Sequence, residues 1–118
     1  MADTETAAGL AALGAATLGE TGGRTFPTRI RPVWTGASVA APAYPVRCSP
    51  GDNLAVHVAV TRAPAGSVLV VDVGDVPDRG YWGEVLTTAA EAADQIDILH
   101  QRQFPHAPGG AQRIAMHQ

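Results

Sequence analysis

The chain has 118 residues, 46% hydrophobic and 16% charged, a composition that buries a core and sets one compact domain as its ceiling. Its 8 basic residues are all arginines, set against 11 acids for a formal charge of -3, so it lacks the clustered basic stripe of a nucleic-acid surface. With no lysine there is no Schiff-base amine, and any carbon–carbon bond chemistry needs a metal or a fixed oxyanion site.

The lone Cys48 cannot form an internal disulfide; it reads as a small core residue and makes a reducing cytoplasm the simplest compartment. Asp3 and Glu5, with no basic residue before Arg24, argue against a secretory signal. No run approaches the ~18 apolar residues of a membrane span.

In chain order, Asp3 or Thr4 can cap a helix over residues 5–18, with Leu10, Leu13 and Leu18 near helical spacing among alanines. Gly9 and Gly14 each cost about 1 kcal/mol there relative to alanine, and the glycines of residues 19–23 stop it. From Pro27 to Cys48, four prolines among β-branched and aromatic residues exclude a helix and suit short strands, around Ser38–Ala41 and Tyr44–Arg47. Residues 53–61 are ambiguous. Leu54, Val56, Val58 and Val60 alternate as in a strand, while Leu54 with Val58 and Ala55 with Ala59 fit helical pairs; the capping residue Asp52 tips the reading to helix.

Ser67–Val73 is a continuous apolar run of the kind buried on both faces of a sheet. An acidic, glycine-containing loop over residues 74–83 then leads into a helix over Glu84–Ala93. A short helix is predicted near Ile96–Gln103, and residues 105–118, polar and without periodicity, read as a poorly ordered tail.

The main candidate site is Gly83, Glu84, Val85 and Leu86. The first turn of a helix has backbone N–H groups with no internal partner, and a glycine there lets a carboxylate or phosphate approach the main chain. The alternative is an ordinary helix start in which Glu84 complements the macrodipole. Asp72, Asp75 and Asp78 crowd the preceding loop as possible cation ligands or as turn caps and solvated charge. Arg79 is placed to pair with these acids or with a substrate carboxylate, and Tyr81 and Trp82 read as core or interface area. His57, His100, His106 and His117 show no metal-ligand spacing, and no serine-hydrolase or dithiol pattern occurs.

Six phrases, in order, resemble one family: Leu13-Gly-Ala-Ala-Thr-Leu-Gly-Glu20, Ile30-Arg-Pro-Val-Trp34, Pro45-Val-Arg-Cys48, Pro50-Gly-Asp-Asn-Leu-Ala-Val-His57, Gly66-Ser-Val-Leu-Val-Val-Asp72 and Gly80-Tyr-Trp-Gly-Glu-Val-Leu-Thr-Thr-Ala-Ala90. From about residue 10 to 93 the chain resembles the RraA-like family, regulators of ribonuclease E activity and their 4-hydroxy-4-methyl-2-oxoglutarate aldolase relatives. The resemblance implies an α+β fold of the swivelling β/β/α type in a single domain over residues 1–104, assembled as a homotrimer or dimer of trimers with its site between subunits.

In the aldolase branch it implies a lyase dependent on a divalent cation, Mg2+ or Mn2+, that releases pyruvate and also decarboxylates oxaloacetate. The amides of Gly83–Leu86 match the loop that holds the carboxylate of the pyruvate or enolate unit, and Glu84 takes the place of the loop acid, usually aspartate. In the regulator branch the partner is a ribonuclease or helicase.

The chain departs from the pattern after the helix. After the loop acid and a spacer of twenty residues the aldolases carry an arginine for the substrate and then an aspartate that holds the metal through water; here those positions are Pro105 and His106. The Gly-Gly-Val-Arg-Asp-like turn and the strand before it find no counterpart in the text after Ala93. The chain therefore reads as short or altered at its C-terminal end, with impaired lyase activity and an uncovered sheet edge.

Overall fold

The computed structural model describes residues 4–26, 30–32, 35–36, 38–76, 78–94, 97–101 and 112–114. The helical N-terminal segment divides at Gly14, which takes φ +81°, a conformation strained for any residue with a Cβ. The result is α1 (Thr4–Leu13) and α2 (Ala15–Glu20) in place of one continuous helix. The predicted glycine stop is present: Gly22 adopts φ +95° and the Gly23 amide donates to Leu18 O at 2.8 Å. Ala7 is buried, but Leu10 and Leu13 remain exposed.

A short strand, β1 (Ile30–Pro32), follows, and then β2 (Ala43–Arg47). The strand predicted at Ser38–Ala41 does not form; pairing begins at Ala43, where β2 comes into register with the apolar run of β3 (Val68–Asp72). Between them lies α3 (Leu54–Arg62), which resolves the ambiguous segment as a helix. The cap lies one residue beyond the predicted Asp52: Asn53 is the N-cap and makes no side-chain cap bond, while the Asp52 carboxylate just before it accepts the Leu54 amide at 2.7 Å.

β3 is the central strand of a parallel sheet ordered β2-β3-β4. Pro45 is tolerated in β2 because β2 is an edge of this sheet. The ladder bonds at its two ends, Val68 N to Pro42 O and Cys48 N to Asp72 O, come from even-numbered residues. Alternation therefore turns the Pro45 backbone away from β3, where a missing N–H costs no bond.

After β3 come α4 (Glu84–Ala92) and β4 (Asp97–Gln101), which pairs parallel with β3 from Val68 opposite Asp97 to Asp72 opposite Gln101. Two expectations are corrected here. Within the segment expected as a short helix near Ile96–Gln103 the described residues, Asp97–Gln101, form a strand, and so a strand follows α4 where none was expected. Its sequence, Asp-Ile-Leu-His-Gln, has no strand alternation of its own; the open edge of β3 supplies the partner that decides its conformation. Asp94, at φ +52°, closes α4, and its carbonyl accepts the Gly66 amide at 2.8 Å, which ties the end of α4 to the start of β3. A three-residue strand, β5 (Gln112–Ile114), pairs parallel with β1 in the stretch where the sequence suggested no element.

The fold is thus α+β, with helices around small parallel sheets. Among the described residues one core holds it together: Val46 in β2 and Cys48 just after it, Leu69 and Val71 in β3 and Val73 just after it, Val56, Ala59 and Val60 of α3, Tyr81 before α4, and Leu86 and Ala90 within it. Leu86 and Ala90 stand four residues apart on one face of α4, so burying them fixes the orientation of that helix and its N-terminal end. No described helix is long and apolar enough to cross a membrane.

Candidate functional site

β3 delivers the chain to the loop of residues 73–83. Val73 is buried, the Gly74 amide donates to the Asp72 carboxylate at 2.9 Å, and Gly74 turns with φ +63°. The loop then returns to the core at Tyr81, which is 1% exposed. The Tyr81 hydroxyl donates to Val76 O and accepts the Gly51 amide at 3.0 Å, while its carbonyl accepts the Asn53 side-chain amide at 3.3 Å.

α4 begins three residues later. Gly83 is its N-cap, with extended backbone (φ -157°, ψ -174°) and no side chain to cap the helix. The first helical bond runs from Thr87 N to Gly83 O at 3.0 Å, so the helix has no internal acceptor for the Glu84, Val85 and Leu86 amides. The Trp82 indole donates to the Thr87 hydroxyl at 2.8 Å, which donates in turn to Gly83 O at 3.1 Å. Leu86 is 4% exposed and anchors the turn, whereas Val85 is 78% exposed and Glu84 faces water. An atom added at the Cβ position of Gly83 would meet nothing within 4 Å.

The four predicted residues therefore come together as one open helix N-terminus, rigid beneath and accessible above. Such a turn attracts an anion through its unpaired amides and the positive end of the helix dipole. Glu84 carries a negative charge at the same place, favourable to the helix and a competitor to any incoming anion.

The other candidates separate. Asp72 pairs with Arg47 at 3.4 Å across the β2–β3 register, and both side chains are well exposed. Among the described residues no three His, Cys, Asp or Glu side chains converge to hold a metal ion; Asp72 accepts the Gly74 amide beside its pair with Arg47, and Asp75 and Asp78 are exposed. Arg79 is exposed. Arg102, Pro105 and His106 lie outside the described residues. Cys48 is a buried free thiol, as expected of a small core residue; burial pushes its pKa up, and the charges of Asp52 and Asp72 add to that.

Sequence reasoning missed two features. Tyr81 was read as core area, but it is also a polar junction; its place beside the Pro-Gly-Asp-Asn turn depends on chain folding across 28 residues and leaves no local signal. A groove of about 460 Å³ between β2 and α3 also went unpredicted; it is lined in part by Val46, Leu54 and Val58, with Arg47 and Arg62. It stands apart from the start of α4, since none of Gly83–Leu86 lines it.

The RraA-like family model (Aldolase/RraA) matches residues 3–96, which span α1 through α4 and so include every residue of the site. This chain belongs to the RraA-like family.

Proposed function

We propose that the start of α4 binds the carboxylate of a small 2-oxo acid, as the substrate-loop half of an aldolase or decarboxylase site, and that the chain turns such substrates over poorly. The observation that carries this reading is the uncapped Gly83 N-cap, with the Glu84, Val85 and Leu86 amides beyond it. Family membership is compatible with it, since the RraA-like family covers aldolases as well as regulators.

Cleavage of 4-hydroxy-4-methyl-2-oxoglutarate, or decarboxylation of oxaloacetate, leaves negative charge on a pyruvate enolate. Donors held in place before the reaction stabilise such charge best. The α4 amides hold the carboxylate end, and Leu86, buried in the core, keeps them from shifting. Family membership is compatible with a divalent cation, Mg2+ or Mn2+, but the described donors do not form a cage for one. The sequence places Pro105 and His106 where the aldolases carry their arginine and aspartate. Without that pair the carboxylate is held and the bond-breaking half of the site is lacking.

Pyruvate release from oxaloacetate tests this. With Mg2+ or Mn2+ present, purified protein should stay close to the metal-only rate. A rate well above it that Glu84→Ala abolishes would refute weak turnover.

Pro105 and His106 also favour a second reading, a regulator that engages a ribonuclease or helicase through the surface of a homotrimer. A stable partner complex on co-purification, without metal-dependent turnover, would select it. Under either reading we place the protein in the cytoplasm, where its one thiol stays reduced.

A further inference from the structure

We propose that Tyr81 is a positioning residue for the carboxylate site: by pinning the loop before α4 to the turn before α3, it fixes where the Glu84, Val85 and Leu86 amides point. The inference rests on the reading of the α4 start as that site. Tyr81 joins two segments that are separate in sequence, its own loop and the turn of residues 50–53. Its hydroxyl links Gly51 N, at 3.0 Å, to Val76 O, and its carbonyl takes the Asn53 side-chain amide at 3.3 Å. Gly51 presents its amide from φ +76°, a left-handed conformation that a side chain would strain. Asn53 makes no side-chain cap bond to its own helix, which leaves its amide for Tyr81.

The loop is held on its other side as well. Trp82 reaches forward to Thr87, and Thr87 returns to Gly83 O. Tyr81 and Trp82 therefore clamp the approach to α4 from opposite directions, in a stretch bounded by Gly80 and Gly83 that would otherwise sample many conformations. Main-chain donors bind an anion well only when their geometry is set beforehand, because ordering them on binding subtracts from affinity. The Pro50-Gly51-Asp52-Asn53 turn thereby has a role at a site 30 residues away.

The test compares Tyr81→Phe with the native chain, using oxalate as a planar dicarboxylate probe. The substitution keeps the buried ring and removes only the hydroxyl. NMR titration of the Gly83–Leu86 amides gives the oxalate Kd, and hydrogen exchange reports on the Thr87 amide, which is bonded to Gly83 O. The expected result is about tenfold weaker oxalate binding, with lower protection of Thr87 in the free protein. Val56→Ala, fully buried in the first turn of α3, lowers the melting temperature as a control and leaves both readouts unchanged. If Tyr81→Phe does not fold, Asn53→Ala, which cuts only the tether to the Tyr81 carbonyl, must still weaken oxalate about threefold. Native affinity in the folded tyrosine variant, or in Asn53→Ala, overturns the proposal, as does an equal loss in Val56→Ala. If native protein shows no oxalate shift at these amides, the carboxylate reading itself falls and takes the proposal with it; if native protein binds and Tyr81→Phe binds equally, only the proposal falls.

Discussion

Replacing Gly83 by aspartate should stabilise the fold and weaken the site at once. Gly83 already has the extended backbone of an N-cap, and nothing lies within 4 Å of an added Cβ, so the side chain enters without a clash. An aspartate N-cap gains a few tenths of a kcal/mol over glycine by accepting a first-turn amide, and its charge adds about 0.3–1 kcal/mol against the helix dipole. Repulsion from Glu84 trims this, leaving a gain of about 0.5–1 kcal/mol, or a rise of about 2–5 °C in melting temperature.

The same carboxylate then occupies the donors that an incoming 2-oxo acid needs. It is covalently attached, so it competes at high effective concentration, and oxalate affinity should fall by about tenfold or more. Gly83→Ala is the counterpart: it offers no acceptor, costs about 0.5–1 kcal/mol of stability and leaves the amides unoccupied. Thermal unfolding and oxalate titration of the three chains separate the effects. A Gly83→Asp chain that is more stable yet binds oxalate like the native protein would refute the assignment of these amides as the site.

Three further outcomes follow from packing and charge. Leu69 is fully buried in the central strand, so Leu69→Ala should cost about 3–5 kcal/mol in denaturant unfolding, whereas Val85→Ala, at a position 78% exposed, should change stability by less than about 0.5 kcal/mol. Arg47→Ala removes an exposed 3.4 Å ion pair and should cost no more than about 0.5 kcal/mol, a loss that added salt masks. Burial, then Asp52 and Asp72, raise the Cys48 pKa above the ordinary 9.0, so the unfolded chain releases this proton first. That contribution to stability is complete below pH 9 and fades as pH rises from there toward the folded value; iodoacetamide at pH 8 should modify Cys48 only after unfolding.

The parts of the fold that sequence made legible are those with a local cause. Four apolar residues in a row, Val68 to Val71, made β3, Glu84 to Ala92 are mostly good helix formers, and Asp52 takes the first amide of α3. Elements that depend on distant partners were hidden. β4 carries no alternation and is a strand because β3 offers it an edge; β2 starts at Ala43 because register with Val68 begins there. Gly14 carried a signal that was priced as a local cost, whereas its left-handed backbone divides the helix. At the site, the glycine before an acid and two apolar residues was readable, since an open N-terminus needs only that. The Tyr81 junction was not, because its partners lie at residues 51, 53 and 76.

The most direct measurement is an oxalate titration of native protein followed through its backbone amides. Saturable shifts centred on Glu84, Val85 and Leu86, and lost in Gly83→Asp, are the predicted result. Shifts confined to the groove lined by Arg47 and Arg62, or no saturable shift at all, would contradict the account.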